Sequence, residues 1–335
     1  MENSTVFFID QNLLPFTFSI GRAGTCRECC HAIRTMKVRG AGAIGAMAGY
    51  AMAQAFGEAL GNHFNEFVLE AKKEIESTRP TARNLFHATE KVFDAGMVSL
   101  EMAFSEAAAI ADKDAEDSRM IGEYGQVLIR DGIRVATHCN AGWLAFVDYG
   151  TALSPIYLAH ASGKKVFVFV DETRPRGQGA RLTAWELYQA GVPHLVIPDH
   201  SNASLMAQGK IDLVITGADR IAMNGDTANK IGTLEKAIVA KEYGIPFYIA
   251  APLSTFDRNC ENGKSIPIEE RSEDEIHYQE GINPEGRIEK IRVTSPGSHG
   301  LNLAFDVTPA KYITGIITEK GIISPDQESI MKILQ

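Results

Sequence analysis

Two hydrophobic rhythms divide the chain. Over residues 1–125 apolar positions recur mostly at helical spacing: Ala41 to Leu60 is small and apolar throughout, and Asn84 to Ala108 repeats Leu85, Ala88, Val92 and Phe93 on one face. Both stretches predict helices. Asn3 to Asp10, with Val6, Phe7, Phe8 and Ile9 at its centre, predicts a short strand. Ser77 to Pro80 predicts a break, because Pro80 pushes Arg79 out of helical geometry. From residue 126 short apolar runs alternate with helical patterns. The runs are Arg134–Thr137, Val166–Val170, Leu195–Ile197, Leu213–Ile215 and Phe247–Ala250, with helical stretches such as Leu182–Ala190 and Thr233–Tyr243 between them. Uninterrupted apolar strands alternating with helices imply a parallel sheet covered on both faces. The expected fold class is α/β: a Rossmann-like, doubly wound parallel-sheet domain over 126–335, preceded by a smaller, mostly helical domain over 1–125. The charged stretch Glu261 to Arg292 lacks periodicity and reads as a long excursion or hairpin.

In doubly wound sheets ligands bind beyond the carboxyl ends of the strands. Polar residues stand at those ends here: His138-Cys139-Asn140, Asp171-Glu172-Thr173-Arg174, Asp199, and Gly217-Ala218-Asp219-Arg220. Their common position predicts one crevice.

Composition narrows what that crevice binds. The formal net charge is −9, so a nucleic-acid backbone gains nothing from the global field and nucleic acid is not an expected partner. No apolar run approaches the roughly 18 uncharged residues of a membrane helix. The first residues carry Glu2 and Asp10 and no basic region, unlike a targeting peptide, so the expected location is the cytoplasm. Of five cysteines, Cys26, Cys29 and Cys30 cluster, but a closed zinc site needs a second pair that is missing, so free thiols and no metal are expected.

Gly40-Ala41-Gly42-Ala43-Ile44-Gly45 matches a dinucleotide fingerprint in spelling only, because a helical pattern rather than a strand precedes it. It suits a glycine-rich turn opening a helix, where free N–H groups attract an anion and Arg39 adds a cation, or equally a close helix contact through small residues. Cys139 sits where a strand-to-helix turn is expected, and a thiol at a helix N-terminus makes a usable base or nucleophile. His138, its neighbour in an extended strand, should point the other way. Asp219 ends the fourth run; burial there would keep it protonated as a general acid, whereas a helix N-cap is the plain alternative. Gln178, Asn229, Lys230 and Arg79 offer donors to hydroxyl or phosphate oxygens.

These segments, in this order, resemble the 5-methylthioribose-1-phosphate isomerase family, itself related to regulatory subunits of translation initiation factor 2B and to ribose-1,5-bisphosphate isomerases. The likeness runs from Ile9-Asp10-Gln11 through Val38-Arg39-Gly40-Ala41, Arg79-Pro80-Thr81-Ala82, Thr137-His138-Cys139-Asn140-Ala141-Gly142 and Asp171 to Glu186. It continues through Gly217 to Thr233 and Ile266 to Arg271, and ends at Ala304-Phe305-Asp306-Val307-Thr308-Pro309. The resemblance implies Cys139 and Asp219 as the catalytic pair. It implies Arg39, Gly40, Ala41, Arg79, Gln178, Asn229 and Lys230 as substrate-binding. It also implies a homodimer that needs no cofactor and converts a phosphorylated sugar in methionine salvage. The chain departs from the family pattern at Gly42 and Leu303, where proline is usual, and at Trp143, where a small residue is usual. Gly42 is expected to loosen the phosphate turn. Isomerisation of 5-deoxyribose 1-phosphate or another phosphorylated aldose, and a non-catalytic regulatory subunit, are the alternatives.

Overall fold

A computed structural model describes residues 4–59, 63–80 and 83–335. Asn3 of the first expected strand, Leu60 of the alanine-rich helix, and Thr81 and Ala82 lie outside the described residues. The chain divides into two compact units, Met1–Arg119 with Ala141–Gly150, and Met120–Asn140 with Thr151–Gln335.

The first unit opens with an antiparallel ribbon, β1 (Val6–Ile9) and β2 (Ile20–Ala23). Helices α1 (Cys26–Arg34), α2 (Ala41–Glu58), α3 (Phe64–Thr78), α4 (Arg83–Gly96) and α5 (Leu100–Gly125) follow, the division between the units falling within α5. Thr25 and Glu28 cap α1 reciprocally, each side chain satisfying the other's end of the first turn. Helix α2 is apolar all round, and that is why it is the buried centre of the unit. Each of its larger buried side chains, such as Met52 and Phe56, contributes about 1.5–3 kcal/mol. Its glycines let neighbours approach: Gly49 lies against Val92 and Ala107. The expected single helix Asn84–Ala108 is two, α4 and α5. The break falls where the Phe56 ring lies against Gly96, leaving no space for a side chain, and Ser99 Oγ then caps α5 by accepting the Met102 N–H at 3.1 Å. Cys26, Cys29 and Cys30 are buried on α1 and belong to this core.

The second unit contains β3 (Ile133–Thr137), α6 (Ser154–Ala161), β4 (Val166–Asp171), a π-turn at Gly179–Thr183, α7 (Ala184–Gln189), β5 (His194–Ile197), α8 (Asn202–Ala207) and β6 (Leu213–Thr216). Then come β7 (Arg220–Ala222), β8 (Thr227–Lys230), α9 (Thr233–Glu242), β9 (Phe247–Ala250), β10 (Phe256–Asp257), α10 (Asp274–His277), β11 (Tyr278–Ile282) and β12 (Ile288–Arg292). β13 (Phe305–Thr308), β14 (Gly315–Thr318), β15 (Gly321–Ile323) and α11 (Gln327–Ile333) close the chain. All five expected strands lie in one sheet of order β15-β14-β9-β6-β3-β4-β5, parallel except for β15. Coverage of both faces fails at one edge: on β5, Leu195 and Val196 are 56% and 45% exposed. A second sheet, β10-β7-β8-β13, was not expected, because its strands are short and carry polar residues such as Arg220, Thr227 and Lys230. The charged excursion contains the hairpin β11–β12. Among the described residues no helix is long and apolar enough to cross a membrane.

Candidate active site

The chain runs outward from β3 to β4 and β5 on one side of the sheet, then returns to β6, β9 and β14 on the other. The strand order therefore reverses between β3 and β6, and it is beyond the carboxyl ends at such a reversal that doubly wound sheets bind their ligands. The register is Val135 opposite Leu213 and Ala136 opposite Val214, and Thr137 Oγ1 donates to the Ile215 carbonyl at 2.8 Å. Cys139 stands two residues beyond β3, and Asp219 three residues beyond β6. Both leave the adjoining strands that flank the reversal.

Cys139 holds a left-handed backbone, φ 65°. Two hydroxyls fix it there. Its N–H donates to Thr173 Oγ1 at 2.9 Å, and Thr183 Oγ1 donates to its carbonyl at 2.7 Å. The neighbouring side chains are buried on either side of it. Asn140 Nδ2 donates to Glu186 Oε1 at 2.8 Å, and the Tyr157 hydroxyl donates to Glu186 Oε2 at 2.9 Å. Burial, and then the Glu186 charge, push the Tyr157 hydroxyl well above its usual range, so it stays a donor. The expected helix N-terminus is not at Cys139: the next α-helix of this unit begins at Ser154.

Asp219 corrects a second expectation. The residue is exposed, so its own unit supplies no dry surroundings. It is not a helix N-cap either. Strand β7 follows it, and its N–H donates to the Ala228 carbonyl at 2.9 Å, beside Asn229 and Lys230 on β8. Arg271, missed in the sequence, lies in its field. Burial opposes the guanidinium charge, but Glu269, Glu275 and Asp219 outweigh it and raise Arg271 further.

Gln178, Asn229 and Lys230 are buried. Lys230 Nζ donates to the Ala304 carbonyl at 2.8 Å and lies 4.6 Å from the Phe305 ring centroid, which fixes its direction. Asn229 Nδ2 donates to Thr233 Oγ1 at 3.0 Å. Gln178 immediately precedes the π-turn, and its buried Oε1 has no hydrogen-bond partner among the described residues. A buried acceptor without a donor is a rarity that a ligand hydroxyl would relieve.

His138 and Asp171 lie beneath this edge. His138, Asp171 and Asp199 bring ligand atoms within 4.8 Å of one another, the spacing of a metal site. Protein donors already fill it: Lys236 Nζ lies 3.2 Å from Asp171 Oδ2, and Asp199 accepts the N–H groups of Thr173 and Arg174, each at 2.7 Å. An ammonium in the cation's place does not fit a metal centre.

The first unit carries Arg39, Gly40, Ala41 and Arg79. Arg39 is buried, and Gln11 Nε2 ties the segment by donating to the Leu144 carbonyl at 2.7 Å. Gly40 precedes α2 with φ 93°, and its Cα faces Ala145 so closely that a Cβ would overlap that residue's backbone. Ala41 opens α2, whose first N–H groups are the anion-binding feature read from the sequence. Arg79 ends α3 and is half-buried. Gly42 does not loosen the turn. A side chain there would run into the Asp114 carboxyl and the Phe146 ring, so the position is tightly packed. Burial pushes Asp114 up to about 7, only partly offset by the Val147 N–H that it accepts at 2.8 Å.

Known proteins match this chain in sequence and in fold. Residues 37–325 match the model of the initiation factor 2 subunit family. The methylthioribose-1-phosphate isomerase of Methylorubrum extorquens is 46% identical, over 98% of this chain and 93% of its own length. The crystal structure of 5-methylthioribose 1-phosphate isomerase from Pyrococcus horikoshii OT3 superposes with a TM-score of 0.89 at 39% identity, over 100% of this chain and 94% of that one. That of the translation initiation factor eIF-2B, subunit delta, from A. fulgidus gives 0.84 at 39% identity, over 98% and 96%.

Proposed function

The chain belongs to the initiation factor 2 subunit family, and from that premise we infer that it acts as the methylthioribose-1-phosphate isomerases do. It is an aldose–ketose isomerase that converts 5-methylthioribose 1-phosphate into 5-methylthioribulose 1-phosphate, a step of methionine salvage. The observation that supports the mechanistic reading is that Cys139 and Asp219 follow the carboxyl ends of adjoining strands at the reversal of the sheet.

The chemistry asks for two groups that each give and take a proton. The substrate's phosphate locks its ring, so the ring oxygen must be protonated for it to open. Carbon 2 must then lose a hydrogen and its hydroxyl a proton, while carbon 1 gains a hydrogen. In our assignment Asp219 gives a proton to the ring oxygen and later takes the one from the 2-hydroxyl. Cys139 takes the hydrogen from carbon 2 as a proton and returns it to carbon 1 through an enediol-type intermediate. A direct hydride shift, with the thiol only stabilising it, is the competing route. Because Asp219 is exposed in the unliganded chain, the bound substrate itself supplies the desolvation that a proton-donating carboxyl needs. On the family's pattern Arg39, Gly40, Ala41, Arg79, Gln178, Asn229 and Lys230 are assigned to substrate binding.

We take the working enzyme to be a cytoplasmic homodimer, a state that sedimentation of the purified protein tests. Side-by-side kinetics on methylthioribose 1-phosphate and 5-deoxyribose 1-phosphate test the substrate. The expected result is a higher kcat/KM for the methylthio sugar. A preference of about tenfold or more for the deoxy sugar (about 1.4 kcal/mol) would transfer the assignment to it.

A further inference from the structure

Next to Cys139 lies a buried charge network that the proton transfers themselves do not consume. The His138 side chain is fully buried. Its Nδ1 lies 2.9 Å from Asp171 Oδ2, and its Nε2 lies 2.8 Å from the Ile231 carbonyl. A backbone carbonyl only accepts, so Nε2 carries a hydrogen. Asp171 Oδ2 also faces the Lys236 ammonium at 3.2 Å, and its Oδ1 accepts from Asn202 Nδ2 at 2.6 Å. Asp171 is thus a carboxylate acceptor, and Nδ1 carries a hydrogen as well. A ring that donates from both nitrogens is the imidazolium.

The charged groups around the ring come from four segments. Asp171 ends β4, Lys236 lies on α9, Asp306 lies on β13, and Asp199 follows β5. Asp306 accepts the N–H groups of Gly232 at 2.7 Å and Leu234 at 3.1 Å, while both Asp199 oxygens are held by the Thr173 and Arg174 amides. Asp171 therefore stands between the His138 ring and the Lys236 ammonium within the packed edge of the sheet. The Ile231 carbonyl directly follows Lys230, so the ring joins two segments of the site that are about ninety residues apart in the chain.

We propose that His138 is a positioning residue: as a doubly donating imidazolium it ties the Cys139 loop to the Lys230–Ile231 turn and sets the spacing between the thiol and the Asn229–Lys230 pair. This rests on the reading of Cys139, Asn229 and Lys230 given above. It assigns His138 no contact with substrate.

Nitrogen NMR of the wild-type ring and kinetics of two variants test it. In the folded wild type both His138 nitrogens should carry protons, one facing Asp171 and one facing the Ile231 carbonyl. H138Q should lose about 30-fold or more in kcat with KM within a few-fold. D171N removes the anion facing Nδ1, so it should lose turnover as H138Q does, with KM likewise within a few-fold. A bare ring nitrogen in the wild type, or wild-type turnover in either H138Q or D171N, would overturn the proposal. If H138Q does not fold, the NMR and D171N arms decide. C139S, assayed alongside, separates the failures. An active C139S removes the site reading, whereas an inactive C139S beside an active H138Q removes only the positioning role.

Discussion

Cys139 donates its backbone N–H to Thr173 Oγ1 at 2.9 Å, and both residues hold left-handed conformations, φ 65° and 61°. Two non-glycine residues in that region are costly, on the order of 1–3 kcal/mol each, and persist only where surroundings over-determine them. Here Thr173 is itself pinned, its N–H donating to Asp199 Oδ1 and its hydroxyl to the Asp171 carbonyl. The loop that aims the proposed catalytic thiol is thus set by the segment running from Asp171 to Thr183.

Removing that hydroxyl should misplace the thiol without unfolding the sheet. Thr173→Ala is expected to lower kcat about 10- to 100-fold with little change in KM, whereas Thr173→Ser, which keeps the acceptor, should remain near wild type. Steady-state kinetics of the pair check this. Equal activity in both would mean that the hydroxyl does not orient Cys139.

Gly40 is needed twice, for its φ of 93° and for its approach to Ala145. Gly40→Ala should destabilise the protein by about 2 kcal/mol or more and raise KM for the sugar phosphate at least about tenfold, because the turn at the head of α2 must move. Thermal unfolding and KM are the two readouts.

Gln178 separates stability from function. Its buried Oε1 has no partner within the described residues, so Gln178→Met should leave the melting temperature unchanged or raise it. If that oxygen accepts a substrate hydroxyl, the same change should cost about 10- to 100-fold in kcat/KM. Lower stability with intact kcat/KM would give Gln178 a purely structural role.

Asp114 carries a pH signature. Burial raises its folded-state value to about 7, above that of an unfolded carboxyl near 4. The folded chain therefore holds this proton more tightly than the unfolded chain. The stabilisation is fully present below about pH 4 and is lost as pH rises through about 7. Asp114→Asn, which keeps an oxygen for the Val147 N–H, should match the wild type below about pH 4 and exceed it increasingly as pH rises, reaching roughly 2–4 kcal/mol above about pH 7. Denaturant unfolding at about pH 5.5 and pH 8.5 measures the difference, and a gap that does not widen with pH would contradict the assignment.

Much of this architecture was legible because its signals are local. The run Val166–Val170 and its four counterparts are continuous apolar stretches, and each became a strand of the main sheet. What stayed hidden depends on distant partners. The break after Gly96 follows from Phe56, forty residues away, and the short second sheet is held by backbone pairing rather than by an apolar pattern. Cys139 was expected at a helix start because a loop after a parallel strand usually leads into one, and its clamp by Thr173 and Thr183 leaves no trace in spacing. Asp219 was expected to be buried, since position along a strand says nothing of what covers its end. The acceptors of His138, Asp171 and the Ile231 carbonyl, are visible only in the fold.

The most direct test is isomerisation of methylthioribose 1-phosphate by C139S and D219N, each shown to be folded by its thermal unfolding curve. The expected result is a loss of about 10³-fold or more in kcat for both, since each removes a group that must give and take a proton. Turnover within about tenfold of wild type in either variant would contradict the pairing of this thiol and this carboxyl across the reversal of the sheet.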